Sequence, residues 1–473
     1  MADILFIVAA PVTAVAGSVK LTHSDVDLPA HISMGDVILQ TGGIPSRSIA
    51  SFTASNDSLT AQAWLSEVIL SALNQAGGLA LVITFAAIMV GATHAGVALF
   101  LRSKGVDARW ALAAALMSLA VSSTHWLARP HMFSILGVAL TIFLLESSSP
   151  RRLLYFGLLF AAWANLHAGW LYGLLLIGVY AAGTRIDAPG RWRAQLSALG
   201  VALAATFINP FGIGLHGEVI AGATSADLAR QMGEFRPPDF LSAASLPFLI
   251  ALVASAGLLA VSRKKMEWAH LFVVVVTTVL ALRSFRHIAL FGVSAWPLIA
   301  LHAARTWPTR RKGFPLFSHI ALADKTTCPG LYAVPAAVLL LLIGANHGRL
   351  GDTQVIRNSF SPAIFPMAAV DSARSAGIGT DRIFQKWTWG GYIMYALPGA
   401  HLVVDPLKFN QASVDAYSRI DGVRAGWQDE LERWDIRTVI IPPDSPLAKS
   451  LEREPGWKLW YRDSTASVFR PAD

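Results

Sequence analysis

The chain has 473 residues, of which 54% are hydrophobic and only 14% are charged, and its mean hydropathy is +0.50. Soluble domains carry about 25% charged residues, so this composition excludes a disordered chain and argues against an ordinary soluble enzyme. It predicts a protein with many membrane spans. The lone cysteine, Cys328, excludes an intramolecular disulfide framework and a cysteine-rich metal site.

Basic and acidic residues are unevenly distributed along the chain. From Asp352 to the end there are 14 basic and 15 acidic residues, whereas the preceding part has 24 and 15. The net charge of +8 therefore comes from the apolar part, which is typical of membrane topology and not of a nucleic-acid-binding patch. We expect membrane lipids as partners and no nucleic acid.

Eleven apolar stretches approach the length of a membrane-spanning helix. They are Ile4–Val19, Gly77–Leu101, Trp110–Thr124, His131–Leu145, Leu153–Ala164, Gly169–Gly183, Gln195–Ile208, Leu246–Val261, Trp268–Leu282, Ile288–Ala303 and Leu331–Ala345. With the N-terminus in the cytoplasm, cytoplasmic loops hold 16 Lys and Arg residues and the opposite loops before the tail hold 7. Every second loop is basic, as the positive-inside rule requires, and the odd number of spans places the tail outside.

We therefore expect two domains. Residues 1–348 would form a polytopic α-helical membrane domain with a long first outer loop at 20–76, and residues 349–473 a periplasmic α/β domain. Within the loop, Trp64–Leu73 has apolar residues on one helical face and polar residues on the other, which predicts a helix lying in the membrane interface.

The tail alternates helix-like stretches with short apolar runs at His401–Asp405 and Thr438–Ile441. It ends in a predicted strand pair, Trp457–Tyr461 with Ala466–Arg470. Alternating helix and strand signals of this kind indicate a small α/β domain.

Ionisable residues beside the predicted spans cluster in the outer loops. The groups are Asp25 with Asp27, Arg129-Pro-His131, Asn165-Leu-His167, Glu234 with Asp239, and Arg283, Arg286 and His287. Such residues are costly next to a membrane and usually serve a function. A reaction centre at the outer membrane surface would require this convergence.

Asp25 and Asp27 form the sharpest of these signals. Two carboxylates two residues apart can share a divalent cation such as Mg²⁺ or Mn²⁺, or one can act as general base while its neighbour orients it. The alternative is that Asp27 or Ser24 caps the helix whose first turn contains Pro29.

Arg129, Arg283 and Arg286 place fixed positive charge in short outer loops. The planar guanidinium group suits phosphate oxygens, so we expect these residues to bind a lipid-linked phosphate, with His131 and His167 as further donors. The alternatives are arginines that reach lipid headgroups and histidines with structural roles.

Several motifs together resemble a known family. They are the aspartate pair, Trp64-Leu-Ser-Glu67, Arg129-Pro-His131, Asn165-Leu-His167, Asn209-Pro-Phe-Gly212, Glu234-Phe235 and Trp389-Gly-Gly-Tyr392. This constellation is similar to bacterial integral-membrane glycosyltransferases of the GT-C type, in the dolichyl-phosphate-mannose-dependent mannosyltransferase-like class. For Trp389-Gly-Gly-Tyr392 by itself, a packing turn is favoured over an acceptor site.

The resemblance implies that a hexosyl or pentosyl group moves, with inversion, from a polyprenyl-phosphate donor to a glycan, lipid or protein acceptor. The reaction would take place at the outer face of the bacterial cytoplasmic membrane. The resemblance also implies that Asp25 or Asp27 is the catalytic base and that Glu234 is the acidic residue of a second loop. Some members of this class use a divalent cation and others do not.

Two other classes of function compete with this interpretation. A lipid or polysaccharide transporter or flippase would need charges near span centres and on both sides, and pseudo-repeats would support it. A non-catalytic envelope assembly protein would be indicated by the loss of both aspartates, yet both are present.

Overall fold

A computed structural model describes residues 1–17, 21, 25–53, 58–224, 233–262, 264–306, 330–378, 381–408 and 411–472. Ser24, Cys328 and the end of the first predicted span at Val19 lie outside these residues. The chain forms two compact units: a first unit of residues 1–17 and 83–356, and a second unit of residues 18–82 and 357–473. The sequence groups the first outer loop with the spans, whereas in the structure most of this loop belongs to the unit that contains the tail.

Helices dominate the described residues. They are α1 (Ala2–Val15), α2 (Leu28–Thr41), α3 (Trp64–Ser103), α4 (Ala108–Ser122), α5 (His131–Leu145), α6 (Arg152–Leu166), α7 (Trp170–Asp187), α8 (Trp192–Ala205), α9 (Ile213–Thr224), α10 (Leu246–Ala260), α11 (Trp268–Arg283), α12 (Ile288–Thr306), α13 (Ala333–Ala345), α14 (Met367–Ser375), α15 (Gly390–Ala396), α16 (Gln411–Asp421), α17 (Trp427–Arg433) and α18 (Pro446–Leu451).

Every predicted span coincides largely with a helix. Within the described part of the chain, three helical stretches are long and apolar enough to cross a membrane: Trp64–Ser103, Ala243–Ala260 and Phe285–Thr306. Five further apolar helices, α1, α5, α6, α11 and α13, are shorter. The helical, membrane-type character is thus confirmed, and the number of eleven crossings stays a prediction.

In the first unit, α12 occupies the centre of the helix packing. It is buried along most of its length and packs against α4 and α11, while α11 packs against α7. The bulky side chains of Phe156, Phe160, Trp163 and Trp170 are almost fully buried in the same core. Because lipid tails are as apolar as these side chains, close packing is what holds such helices together. This packing fixes the short turns at their ends.

The second unit contains a five-stranded sheet. Its strands are β3 (Arg382–Gln385), β4 (His401–Leu402), β5 (Thr438–Ile441), β6 (Trp457–Arg462) and β7 (Ser467–Pro471), which follow a small hairpin of β1 (Arg349–Leu350) and β2 (Thr353–Gln354) in the first unit. The order is β4-β3-β5-β7-β6, with β3 parallel to β4 and β5, and β7 antiparallel to β5 and β6. The predicted α/β tail and its terminal strand pair are confirmed.

The first outer loop covers the β4 edge of this sheet. The amide of Phe52 donates to the carbonyl oxygen of Leu402 at 3.2 Å. The amide of Leu402 donates to the carbonyl oxygen of Ala50 at 2.8 Å. The hydroxyl of Thr53 donates to the carbonyl oxygen of Val403 at 2.6 Å. Since an open strand edge invites pairing with other chains, the loop protects the sheet as well as extending it.

The predicted amphipathic helix forms the beginning of α3, and its polar face points inward. Ser66, Glu67 and Ser71 are 0%, 4% and 0% exposed, whereas Val68 and Leu73 on the apolar face are partly exposed. A helix that buries its polar side chains against protein and turns its apolar side chains outward suits a membrane interface.

Glycine ends this first part of α3. Gly78 has a φ of +66°, and a β-carbon there would lie 2.5 Å from Oδ1 of Asn358. That same oxygen accepts a hydrogen bond from the amide of Ala80 at 2.9 Å. The tail residue Asn358 thus supplies an acceptor to the second part of α3, and the positive φ at position 78 favours glycine.

Candidate functional site

Asp25 and Asp27 lie at the start of α2 and have different roles. Asp25 is 1% exposed, and its Oδ1 accepts hydrogen bonds from the amides of Asp27 at 3.0 Å and Leu28 at 3.1 Å. Asp27 occupies the N-cap position, but its side chain makes no capping hydrogen bond. The expectation that Asp27 or Ser24 caps the helix is therefore wrong for Asp27. Asp25 serves as the cap, and the half-buried Asp27 carboxylate is the better candidate for chemistry.

A histidine–glutamate pair lies one helical turn beyond Asp27. Nδ1 of His31 is 3.0 Å from Oε1 of Glu67, and the Glu67 side chain is 5% exposed. Further along the same two helices, Asp36 accepts a hydrogen bond from the hydroxyl of Ser71 at 2.6 Å. His31 was not predicted from the sequence, although its position four residues after Asp27 places it on the same helical face. A carboxylate that orients an imidazole is a common device in acid–base sites.

The Trp389-Gly-Gly-Tyr392 motif packs against this region. A β-carbon on Gly391 would lie 2.5 Å from the carbonyl oxygen of Val26 and 3.3 Å from Ala30. The motif therefore lets α15 approach the start of α2, between the two aspartates. The prediction of a packing role for the glycines is consistent with this contact.

Glu234 and Arg286 meet in the first unit. Nη1 of Arg286 is 3.5 Å from Oε1 of Glu234, and Nε2 of His125 is 3.8 Å from Oε2. The Arg286 guanidinium also lies over the ring of Phe235 at 4.6 Å. The backbone carbonyl of Glu234 accepts a hydrogen bond from the hydroxyl of Ser284 at 3.1 Å. The two predicted residues thus form an ion pair, and Glu234 and Phe235 both contact the Arg286 guanidinium.

The other predicted phosphate ligands lie in different surroundings. Arg129 and Arg286 both lie within electrostatic range of His131. Arg283 is exposed at the end of α11. His125, whose ring centroid lies 4.3 Å from that of His131, was not predicted. The signal for it was present, because both histidines flank the same short outer segment.

His131 and His167 present different ring nitrogens. Nε2 of His131 is 2.9 Å from the carbonyl oxygen of His125, so this nitrogen donates to the backbone. Nδ1 of His167 accepts from the amide of Gly169 at 3.1 Å and lies 2.7 Å from the hydroxyl of Ser134. The neutral His167 ring therefore carries its proton on Nε2.

Asn165 and Asn209 have local structural roles. The side-chain oxygen of Asn209 accepts from the amide of Phe211 at 2.7 Å, and its nitrogen donates to the carbonyl of Thr206 at 2.7 Å. Asn165 donates to the carbonyl of Ile208 at 2.7 Å. The two motifs therefore hold the ends of α6 and α8 together.

A buried charge network lies at the far end of α5 and was not predicted. Glu146 is paired with Lys104 at 2.9 Å and with His270 at 2.7 Å, and it accepts from the hydroxyl of Tyr180 at 2.5 Å. Charged groups therefore occur at both ends of this 15-residue helix. Because each group found here has a partner, the network ties helix ends together.

The carboxylates of Asp25 and Asp27 are the candidate ligands for a divalent cation. Hard carboxylate oxygens suit Mg²⁺, which is often held by one or two carboxylates together with substrate oxygens. Among the described residues, no group of three or more histidine, cysteine, aspartate or glutamate side chains could hold a metal ion. A cation at Asp25 and Asp27 would therefore need oxygen ligands beyond the carboxylates of the described residues.

Comparisons with known proteins give the fold. No protein-family model matches the sequence, and a search of curated proteins finds no match. The archaeal oligosaccharyltransferase AglB from Archaeoglobus fulgidus, solved with an inhibitory peptide and a dolichol-phosphate, matches with a TM-score of 0.56 at 11% identity, over 99% of this chain and 74% of that one. ArnT from Cupriavidus metallidurans, solved with undecaprenyl phosphate, matches with a TM-score of 0.53 at 12% identity, over 98% and 97%.

At these identities the matches establish the fold alone, but they extend over almost the whole chain. The helices of the first unit and the sheet-containing second unit are both included in the matched length. The chain therefore has the fold of the GT-C type of integral-membrane glycosyltransferase, as its sequence motifs predict.

Proposed function

We propose that the protein is a glycosyltransferase that moves a hexosyl or pentosyl group from a polyprenyl-phosphate donor to an acceptor, with inversion. The observation that carries the proposal is the match of 98% of this chain to 97% of ArnT, a structure bound to undecaprenyl phosphate. The acceptor is a glycan, lipid or protein. The reaction takes place at the outer face of the cytoplasmic membrane, where the predicted topology places the aspartates and the arginines.

Asp27 is the general base in this proposal. The acceptor hydroxyl attacks the anomeric carbon, its proton passes to the Asp27 carboxylate, and the bond from that carbon to the phosphate oxygen breaks. Asp25 is less suited to this role because one of its oxygens already accepts two backbone hydrogen bonds. His31, held by Glu67, lies four residues after Asp27 on the same face of α2 and is a second ionisable group beside the proposed base.

The leaving polyprenyl phosphate gains negative charge as the bond breaks. Arg286 supports this step because Glu234 and the Phe235 ring already hold its guanidinium in place, so little reorganisation is needed. Arg129 and the Nε2 proton of His167 add to the positive potential, and Arg283 is available at the end of α11. The catalytic role predicted for Glu234 is thus replaced, in our proposal, by a positioning role.

A divalent cation, when bound, would be held by Asp27 and Asp25 and would supply additional positive charge. The protein itself still supplies the general base and the fixed positive charges of the arginines. Chelation with EDTA followed by Mg²⁺ or Mn²⁺ addition decides whether transfer depends on it.

Undecaprenyl phosphate binding tests the donor site without knowledge of the sugar, because the lipid phosphate is the leaving group for every donor sugar. Loss of one charge-assisted contact should weaken binding by roughly ten- to hundredfold in Arg286→Ala and in Arg129→Ala. Arg286→Lys should recover part of the loss, because it restores charge without the planar fork.

The matched control is Arg305→Ala. Arg305 forms a half-exposed ion pair with Glu267 at the other ends of α11 and α12, away from Arg286. Each variant is checked for folding by its thermal unfolding. If both site variants bind the lipid phosphate as tightly as wild type, the donor site lies elsewhere. Binding without transfer from any of a panel of undecaprenyl-phosphate sugars would instead support a flippase.

A further inference from the structure

An open cleft of about 560 Å³ lies in the second unit, between α14 and the edge strand β6. It is lined by Asp371, Ser372, Ser375 and Ala376 on the helix side and by Trp460 and Tyr461 on the strand side. Its volume falls within the range of small-molecule sites, about 300–1,000 Å³. Neither the donor site nor the aspartate pair uses any of these residues.

A β-bulge places both aromatic residues in the cleft. Leu459 pairs with Phe469 and Tyr461 pairs with Val468, so Trp460 is an extra residue in β6. Consecutive side chains of a regular strand point to opposite faces, and only the bulge lets two neighbours line one cleft. Their ring centroids are 6.4 Å apart, with planes inclined by 40°. The result is a shallow aromatic platform.

The polar groups around the platform carry little net charge. Asp371 is paired with Arg374 at 3.1 Å, and the hydroxyl of Ser375 donates to the backbone carbonyl of Asp371 at 2.9 Å. The hydroxyl of Tyr461 donates to Asp463 at 3.0 Å. The cleft therefore offers aromatic faces, a carboxylate and hydroxyl oxygens, but no unpaired cation among its lining residues.

This combination matches a neutral sugar. A sugar ring has an apolar face of C–H groups, which packs on an aromatic ring, and a rim of hydroxyls, which bonds to carboxylate and serine oxygens. An anionic ligand would face Asp371, and a cationic ligand would compete with Arg374. We propose that this cleft binds a neutral glycan, independently of the active site, so that the second unit holds a glycan chain while transfer occurs elsewhere. This goes beyond the proposed function because binding requires no catalysis.

The test uses the full-length protein in detergent and three neutral probes: mannopentaose, cellopentaose and an arabinan pentasaccharide. Binding is measured by saturation-transfer NMR and calorimetry. We expect at least one probe to bind and Trp460→Ala to weaken its binding by roughly tenfold, as loss of a stacked aromatic partner does. The matched control is Leu459→Ala, which removes an exposed neighbour on the same strand that does not line the cleft.

A second variant guards against misfolding of Trp460→Ala. Ala376→Trp fills the cleft from an exposed helix end and removes no existing contact, and it should abolish binding without lowering the unfolding temperature. Asp27→Asn should bind the same probe as wild type, which separates this site from the transfer reaction. The proposal is overturned if none of the probes binds or if both cleft variants bind normally. It is also overturned if an alternating Thr-Val octapeptide displaces the sugar by pairing with the β6 edge.

Discussion

Replacement of Gly391 by alanine tests the contact between the tail helix α15 and the start of α2. The new β-carbon would lie 2.5 Å from the carbonyl oxygen of Val26, far inside a normal contact, and 3.3 Å from Ala30. Both contacts involve backbone atoms, so the helices must move apart. Overpacking of this kind costs about 1–3 kcal/mol, while alanine gains about 1 kcal/mol of helix propensity over glycine.

The neighbouring glycine provides the matched control. A β-carbon on Gly390 would lie 3.3 Å from the side-chain nitrogen of Gln385, which is the movable end of a side chain. Both variants gain a similar helix propensity, so their difference isolates the clash of about 1–3 kcal/mol. For a unit of this size, Gly391→Ala should unfold at a temperature roughly 2–12 °C below that of Gly390→Ala.

Thermal unfolding of the detergent-purified proteins measures this difference, and the transfer assay measures its consequence. Because Val26 lies between Asp25 and Asp27, a shift of the α2 start should also lower turnover in Gly391→Ala and leave Gly390→Ala near wild type. Equal unfolding temperatures together with equal turnover would show that α15 does not position the aspartates, and the reasoning would be refuted.

Three further predictions concern carboxylates. Asp27→Asn should abolish transfer at an unchanged unfolding temperature, whereas Asp25→Asn, which keeps the capping oxygen, should retain it; equal loss of activity in both would remove the distinction. Glu234→Gln should bind undecaprenyl phosphate at least as tightly as wild type yet transfer more slowly, because Arg286 loses a competing carboxylate but also its support; calorimetry and initial rates separate the two effects. Burial raises the pKa of Asp405, although hydrogen bonds from Ser48 and a backbone amide oppose the shift. The protonated Asp405 carboxyl group therefore stabilises the fold. This stabilisation is present below the ordinary pKa of 3.8 and is lost as the pH rises through the raised pKa of the folded state. The unfolding temperature of wild type should fall over that range relative to Asp405→Asn, and parallel curves would contradict the assignment.

The helices could be predicted because apolar runs of this length have few other stable forms. Thr438–Ile441 was predicted as a strand and is β5, and the terminal strand pair lies within one residue or so of its expected bounds. Local pattern decides these elements, so no knowledge of distant contacts was needed.

Which face of a helix is buried against the protein could not be predicted in the same way. The amphipathic pattern of Trp64–Leu73 identifies two faces, but it does not say that the face of Glu67 packs on α2. That outcome depends on His31 and Asp36, which supply polar partners from another helix. Where such partners exist, a polar face can be the buried one.

Contacts between site residues that are far apart in the chain could not be predicted from the sequence either. Asp25 and Asp27 were predicted as a pair, and the different hydrogen bonding of the two side chains depends on backbone geometry that a D-x-D spacing does not encode. His125 and the Glu146 network required knowledge of which helix ends meet. Sequence spacing gives neighbours along one element, whereas ion pairs across elements follow from the packing.

The hydrogen bonds that join the first outer loop to β4 have a consequence for biosynthesis. Ser51 and its partner Val403 are 352 residues apart in the chain, and at about 5–20 residues per second the ribosome needs roughly 20–70 s to make the intervening sequence. During that interval the loop has emerged without the sheet edge that it later covers. The second unit therefore cannot complete its fold until nearly the end of synthesis, and a nascent chain truncated before β4 should remain open to proteases in this loop.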